Sequence, residues 1–460
     1  MNLRGQPHRR MPTVRAAAGA RRWATPAVFA LLAASTAGCS HSGASELVAS
    51  TPAWASAPIT RTAQPDDSLL ARALSRERQA VADRDAIGFV NTWDPGQAGT
   101  RQRALTIYQN LVDLHAELRP MAVATDQTAG ADVSSKPASA APAEAASAGP
   151  TKLDPVHPDG SSWAVRVDMA WRLAGLDHSD VHSWLVYTFV QRGSRAYVAD
   201  IAAVAGSRTP IWLIGHLYVH RSTRTLVAAG SPTLATVVSR GLTQAIRDVS
   251  AVMPGWRGDL VAYAPSTPSQ FDALLDSSAH EYQGIAAVTA TVDGSRRLNS
   301  PVAIVTNPMV FGRLSLVGRH VVISHEATHE ATNAAVVDMP LWLAEGFADY
   351  VGVGAVHVPL AVSAREVLGD VRADRVPTRL PADSTFTGSG PQQESSYEQA
   401  RLAITLIAKT SGRWRLVQFY QYVEHHPTDV AAAFRTVLHT TTAAFTTRWQ
   451  VYLEALADAG

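Results

Sequence analysis

The segment HEATH at 325–329 and the segment WLAEGFADY at 342–350 decide the fold of the second half of the chain. Apolar residues recur at helical spacing around each segment, which predicts two successive helices. Histidines four residues apart project from one face of a helix, so His325 and His329 can bind one metal ion. Imidazole pairs at this helical spacing are typical ligands of zinc.

Two histidines leave a catalytic zinc site incomplete, because such a site normally has three protein ligands and an open position for water. Glu345, in the second helix, is the predicted third ligand. Asp349 lies one turn later on the same face, where its carboxylate can accept the remaining ring N–H of a ligating histidine. Glu326 follows the first histidine and can approach the water on the metal, which is the position of a general base.

The H-E-x-x-H motif followed by W-L-x-E-G-x-A-x-Y resembles the gluzincin metallopeptidases, in particular their short peptidase-MA-like branch. The resemblance implies zinc bound by His325, His329 and Glu345, with Glu326 as the base. It also implies a peptide or protein substrate whose backbone lies along an edge strand, for which residues 301–307 are the candidate.

The resemblance covers roughly residues 259–456 and has one departure. The interval from His329 to Glu345 is shorter than in thermolysin-like or aminopeptidase-type gluzincins, which suggests a compact loop and leaves the substrate class open. The related metzincin pattern fails, because Thr332 stands where that pattern needs glycine and Ala335 where it needs a third histidine.

An enzyme of this kind also needs a donor for the oxyanion of the tetrahedral intermediate. Tyr397 is the candidate, because it is expected to open the helix after a polar stretch at 387–396, and a tyrosine leading into that helix recurs in the resembling family. The alternative is that Tyr397 only packs at the start of the helix. Glu330, next to the second histidine, is expected to face water.

The first 38 residues have the features of an export signal. They contain six arginines and no acidic residue, and their apolar run at 26–34 is too short to span a membrane. Small residues before Cys39 resemble the lipobox of bacterial lipoproteins, although Thr36 stands where leucine is usual. The resemblance implies that Cys39 is lipidated and anchors an exported protein to the cell membrane. The alternative is an ordinary cleaved signal with an incidental cysteine.

Charge and cysteine content exclude two other classes of site. Beyond the export signal, 34 basic residues face 39 acidic ones, so the chain has no excess of positive charge for binding nucleic acid. Cys39 is the only cysteine, which rules out an intramolecular disulfide and a cysteine-based metal cage.

Changes in composition and periodicity predict the organisation of the whole chain, which is of the α+β class. The predicted parts are a signal peptide at 1–38, a flexible tether at 39–65, an accessory α+β domain at 66–230 with a disordered insertion at 124–151, and a metallopeptidase domain at 231–460.

In the accessory domain, two predicted helices at 69–90 and 105–118 precede the strands of one antiparallel sheet. These strands are expected at 163–173, 183–191, 195–204, 211–219 and 225–229. Helices followed by such a meander resemble the cone-shaped fold of nuclear-transport-factor-2-like (cystatin-like) domains.

The second domain is predicted to alternate helices with short strands. Strands are expected at 259–264, 285–292 and 301–307, and helices at 231–252, after 266–268, at 313–333, 340–351, 396–423 and 430–456.

The sequence therefore predicts an exported, lipid-anchored zinc peptidase. Two rivals stay open: a catalytically silent surface-binding lipoprotein with a structural or degenerate zinc site, and an amidase acting on cell-wall peptide with the same zinc chemistry.

Overall fold

The structure is a computed structural model, and it describes residues 67–96, 98–119, 122–123, 162–279, 281–387 and 390–459. Helices and two five-stranded sheets make up these ranges, which confirms the α+β class. The predicted signal peptide, Cys39, the tether and the insertion at 124–151 lie outside the described residues.

The first sheet is an antiparallel meander covered by helices. Its helices and strands are α1 (Asp67–Ala82), α2 (Ala86–Val90), α3 (Ala98–Asp113), β1 (Ala116–Leu118), β2 (Ala122–Val123), β3 (Ser162–Leu173), β4 (Val181–Arg192) and β5 (Arg195–Ala203). The order is β1-β3-β4-β5, with β2 also paired to β3. Burial alternates along β3, as expected of a sheet with one face on a core. The cone-shaped resemblance stays a prediction.

The helix predicted at 69–90 is interrupted. Arg84 has a positive φ of 55°, which ends α1, and the Asp85 side chain then accepts the N–H of Gly88 to begin α2. A side-chain cap of this kind competes with continuous helical hydrogen bonding, so the apolar periodicity alone did not reveal the break.

The second sheet contains two strands that were predicted to belong to the first sheet. Its strands are β6 (Tyr218–Arg221), β7 (Thr225–Ala229), β8 (Leu260–Ala264), β9 (Ala287–Thr291) and β10 (Val302–Thr306), in the order β6-β7-β8-β10-β9. The assignment of 225–229 to the first sheet is therefore wrong, and the predicted strand at 211–219 is a 3₁₀ turn at Ile211–Leu213 followed by β6. Strand propensity does not specify which neighbour a strand pairs with.

Both faces of the second sheet are buried. In β8, the side chains of Leu260, Ala262 and Ala264 belong to the core shared with the later helices. Val261 and Tyr263 belong to the core shared with the first sheet. Side chains alternate along a strand, so the two faces of this sheet pack into different cores. The second sheet therefore lies between the two halves of the protein and joins them.

The helices of the second half of the chain pack on the second sheet and on one another. They are α4 (Pro232–Val252), α5 (Pro268–Leu275), α6 (Pro308–Phe311), α7 (Leu316–Ala331), α8 (Leu341–Gly354), α9 (Leu360–Ser363), α10 (Arg365–Arg372), α11 (Pro391–Ser411), α12 (Arg413–His425), α13 (Val430–Thr436) and α14 (Thr442–Ala459). Gly412, with a φ of 85°, separates α11 from α12, so the single helix predicted at 396–423 is two. None of the described helices has the length and apolar composition needed to cross a bilayer.

Candidate metal centre

Helix α7 carries the HEATH segment into the protein interior. The hydroxyl of Ser315 accepts the N–H of Gly318 at 3.0 Å and caps the start of the helix. The residues from Val321 to His329 are all buried. The rings of His325 and His329 meet edge to face with their centroids 4.6 Å apart, as the four-residue spacing predicted.

Three potential ligand atoms converge at one buried point. His325 Nε2 lies 2.9 Å from His329 Nε2, and Glu345 Oε2 lies 3.2 Å and 3.4 Å from these two nitrogens. Tetrahedral coordination with bonds of about 2.0–2.1 Å places ligand atoms roughly 3.3 Å apart. The donor set therefore fits a metal ion, and the His325, His329 and Glu345 group could hold one. Among the described residues, no other cluster of three such ligands was found.

Asp349 fixes the orientation of the first histidine. Its Oδ1 lies 2.8 Å from His325 Nδ1, and a carboxylate only accepts, so Nδ1 carries the hydrogen. His325 Nε2 then faces the other ligands, as the sequence predicted from the spacing of Glu345 and Asp349.

The charges within this cluster compensate one another. Burial disfavours a charged His325, but its hydrogen bonds to Asp349 and Glu345 outweigh that effect and raise its pKa to about 10. Burial likewise opposes ionisation of Glu345, yet His329 and His325 lower its pKa to about 2. The buried Glu345 carboxylate therefore needs a positive charge beside it, and a metal cation at the point where the three atoms converge would supply one.

Glu326 is buried next to His325 in the sequence, but its carboxylate does not belong to the group of converging candidate ligands. Its Oε2 accepts a hydrogen bond from the Thr289 hydroxyl at 2.7 Å. Thr289 lies on β9, which is the edge strand next to α7, whereas β10 lies between β8 and β9. The choice of residues 301–307 as the edge strand is therefore wrong, because β9, the preceding strand in the chain, pairs antiparallel with β10 and covers its outer side.

Tyr397 lies in the second turn of α11, because the helix begins at Pro391 and not at Tyr397. Its side chain is buried and packs edge-on against Phe386 at 5.0 Å. Its hydroxyl has no hydrogen-bond partner among the described residues. Burial, followed by the charges of Glu345 and its neighbours, raises the pKa of Tyr397 well above its usual range, so the phenol keeps its proton. Tyr397 thus has the features of both alternatives: its ring packs against Phe386, and its hydroxyl is a donor without a partner among the described residues.

The expectation that Glu330 faces water is wrong. Its Oε2 is buried without a hydrogen-bond partner. Burial raises the pKa of Glu330 well above its usual range, and a hydrogen bond from the backbone of Val261 opposes this only in part. The physical reason is helical spacing: Glu330 follows Glu326 by four residues and shares its face toward the second sheet.

Asp248 on α4 supports the helix that carries the candidate ligands, and the sequence did not reveal this role. Its Oδ2 accepts a hydrogen bond from the Ser324 hydroxyl at 2.6 Å and lies 2.6 Å from His320 Nε2, and its Oδ1 accepts from Gln244 at 2.9 Å. The carboxylate thus ties α4 to α7 one residue before the first metal-ligand candidate. His320 and Ser324 share a face through their spacing, but nothing local indicates their distant partner.

Two glycines of α8 allow the close helix packing around the site. A Cβ on Gly346 would lie 2.7 Å from the backbone of Ala400, and a Cβ on Gly352 would lie 2.7 Å from the Val321 carbonyl oxygen and 3.2 Å from the backbone nitrogen of His325. Close packing against α11 therefore explains why a glycine, which has no side chain, follows Glu345 in the sequence motif.

We expect Gly352→Ala to separate α8 from α7 and to weaken both folding and metal binding. Overpacking of this kind costs about 1–3 kcal/mol, which lowers the melting temperature by roughly 2–4 °C per kcal/mol in a domain of about 150–250 residues. Gly354→Ala is the matched control, because its added methyl meets nothing within 4 Å. Thermal unfolding and zinc titration of both variants measure the effect, and equal behaviour would contradict it.

The α+β fold and the buried His-His-Glu group define a candidate metal-binding protein. No protein-family model matches the chain, and a comparison with curated proteins likewise gives no match. The choice of function therefore depends on the chemistry of the site itself.

Proposed function

We propose that the protein is an exported, lipid-anchored, zinc-dependent peptidase that hydrolyses peptide bonds in peptides or proteins. The observation that carries the proposal is the convergence of His325, His329 and Glu345, with Glu326 buried beside them and outside the ligand set. Two imidazoles and one carboxylate are typical of catalytic zinc, whereas structural zinc sites are usually closed and rich in cysteine.

The residues have separate tasks in the proposed reaction. When bound, zinc supplies Lewis-acid polarisation of the scissile carbonyl and lowers the pKa of a coordinated water towards about 7. Glu326 takes the proton of the attacking water onto its carboxylate and returns it to the leaving amine. Asp349 holds the His325 ring in place through the Nδ1 hydrogen, and the Tyr397 hydroxyl donates to the developing oxyanion.

The deciding experiment measures zinc per chain together with hydrolysis of an unstructured general protein substrate. One equivalent of zinc with chelator-sensitive turnover is the expected result. Stoichiometric zinc without turnover would instead favour the catalytically silent lipoprotein. Turnover of cell-wall peptide alone would favour the amidase, which differs only in what the cleft admits.

The anchor is tested at Cys39, which is predicted to be the lipidated first residue of the mature chain. We expect Cys39→Ser to move the protein from the membrane fraction to the soluble fraction, because a covalent lipid contributes about 0.8 kcal/mol per buried methylene. Ser40→Ala, the neighbouring substitution, is expected to leave partitioning unchanged. If the Cys39→Ser protein stays in the membrane fraction, the lipid anchor is not there.

The role of Tyr397 is tested by Tyr397→Phe, which removes the hydroxyl and keeps the ring against Phe386. We expect kcat to fall by about 10²–10³ with zinc content unchanged, since this is the usual effect of removing one oxyanion donor. Tyr420→Phe is a suitable control, because Tyr420 is also buried and its hydroxyl contacts Thr332 instead. An unchanged kcat for Tyr397→Phe would show that Tyr397 only packs in the core and does not donate to the oxyanion.

A further inference from the structure

The side chain of Thr289 meets Glu326 at two points. Its hydroxyl lies 2.7 Å from Glu326 Oε2 and 2.9 Å from the backbone carbonyl oxygen of the same residue. The contact joins strand β9 to helix α7, and the two partners are 37 positions apart in the sequence. Both residues are buried, so water does not compete strongly for this hydroxyl.

A second threonine in the same strand shows that the contact is not a general property of β9. Thr291 lies two residues on, so its side chain points to the same face, and it is buried to the same extent as Thr289. Its hydroxyl donates to the Ser295 carbonyl oxygen in the following turn. Burial therefore accounts for a hydrogen-bond partner at each hydroxyl, but only the Thr289 hydroxyl contacts the Glu326 carboxylate.

The strand that carries Thr289 is well suited to hold a side chain in place. Five consecutive residue pairs join β9 to β10 in one antiparallel register. The guanidinium of Arg208 also donates to the Thr291 carbonyl oxygen at the end of the strand. Groups on such a strand are placed more accurately than groups on a loop.

We propose that Thr289 is a positioning residue for Glu326. By donating to Oε2, its hydroxyl holds the carboxylate on the β9 side of the candidate metal site. Glu326 is thereby kept out of the cluster formed by the three ligand atoms and stays available to accept a proton. The inference rests on the proposed peptidase function, which it deepens by assigning a role to the edge strand.

The kinetic test compares Thr289→Val, Thr289→Ser and Thr291→Val in the zinc-loaded full chain. Valine keeps the shape of threonine and removes the hydroxyl. We expect Thr289→Val to lower kcat by about 10–100-fold with KM and zinc per chain little changed, because a misplaced catalytic group costs rate more than binding. Thr289→Ser should restore most of the rate, and Thr291→Val should match the parent.

A second test needs no activity. In metal-free protein, the unfolding midpoint is measured for Thr289→Val and for Thr291→Val, each with and without Glu326→Ala. We expect the midpoint loss from Thr289→Val to shrink when Glu326 is already alanine, because a buried carboxylate then no longer loses its donor. The loss from Thr291→Val should be the same in both backgrounds.

The outcomes separate the inference from the function it rests on. If the parent chain neither holds zinc nor turns over substrate, the proposed function fails, and the unfolding cycle still reports the contact. If the parent is active while Thr289→Val keeps the parental kcat, or if its midpoint loss is additive with that of Glu326→Ala, the positioning role of Thr289 is overturned.

Discussion

Glu326→Gln should retain zinc and lose turnover. Glu326 lies outside the converging ligand atoms, so replacing its carboxylate by an amide leaves the His325, His329 and Glu345 group intact. The amide cannot accept the proton of the attacking water, and removing a general base typically costs about 10²–10⁴ in rate. Zinc per chain and peptide hydrolysis are measured on the same preparation.

Glu330→Gln is the matched control for this prediction, because Glu330 is one turn away on the same helix and its Oε2 is also buried. No part of the proposed reaction uses that carboxyl, and burial raises its pKa well above the usual range, which favours the uncharged form. We therefore expect Glu330→Gln to keep both zinc and turnover. Full activity in Glu326→Gln would show that another group is the base.

The candidate ligand group could be predicted from sequence because helical geometry is local. Spacings of four residues place His325 with His329 and Glu345 with Asp349, and the structure brings these pairs together in that arrangement. The same spacing also links Glu326 to Glu330, and applying it there would have predicted the burial of Glu330.

The order of strands could not be read in the same way. Residues 287–291 and 302–306 are both short, apolar and β-branched, so local propensity does not distinguish an edge strand from a central one. Edge position follows from which strand β8 pairs with, and that depends on packing between distant segments. The partnership of Asp248 with Ser324 is unpredictable for the same reason, because they are 76 positions apart in the sequence.

Glu345→Ala should empty the metal site at ordinary zinc concentrations. It removes one of the three candidate ligands, and it leaves two buried imidazole nitrogens 2.9 Å apart with no carboxylate oxygen at the point where a cation would bind. The loss of zinc affinity should exceed the roughly 10–100-fold expected for Asp349→Asn, which only disturbs the orientation of His325.

The comparison needs a variant that removes a buried carboxylate without touching the site. Glu398 on α11 is buried, and its Oε2 accepts the N–H of Val367 at 2.7 Å. Glu398→Ala should therefore lower the unfolding midpoint and leave zinc affinity at the parental level. The measurement is a competitive zinc titration against a chromophoric chelator, with thermal unfolding of each protein as the check on folding. If folded Glu345→Ala binds zinc as tightly as the parent, the third ligand lies elsewhere and the gluzincin resemblance does not extend to this site.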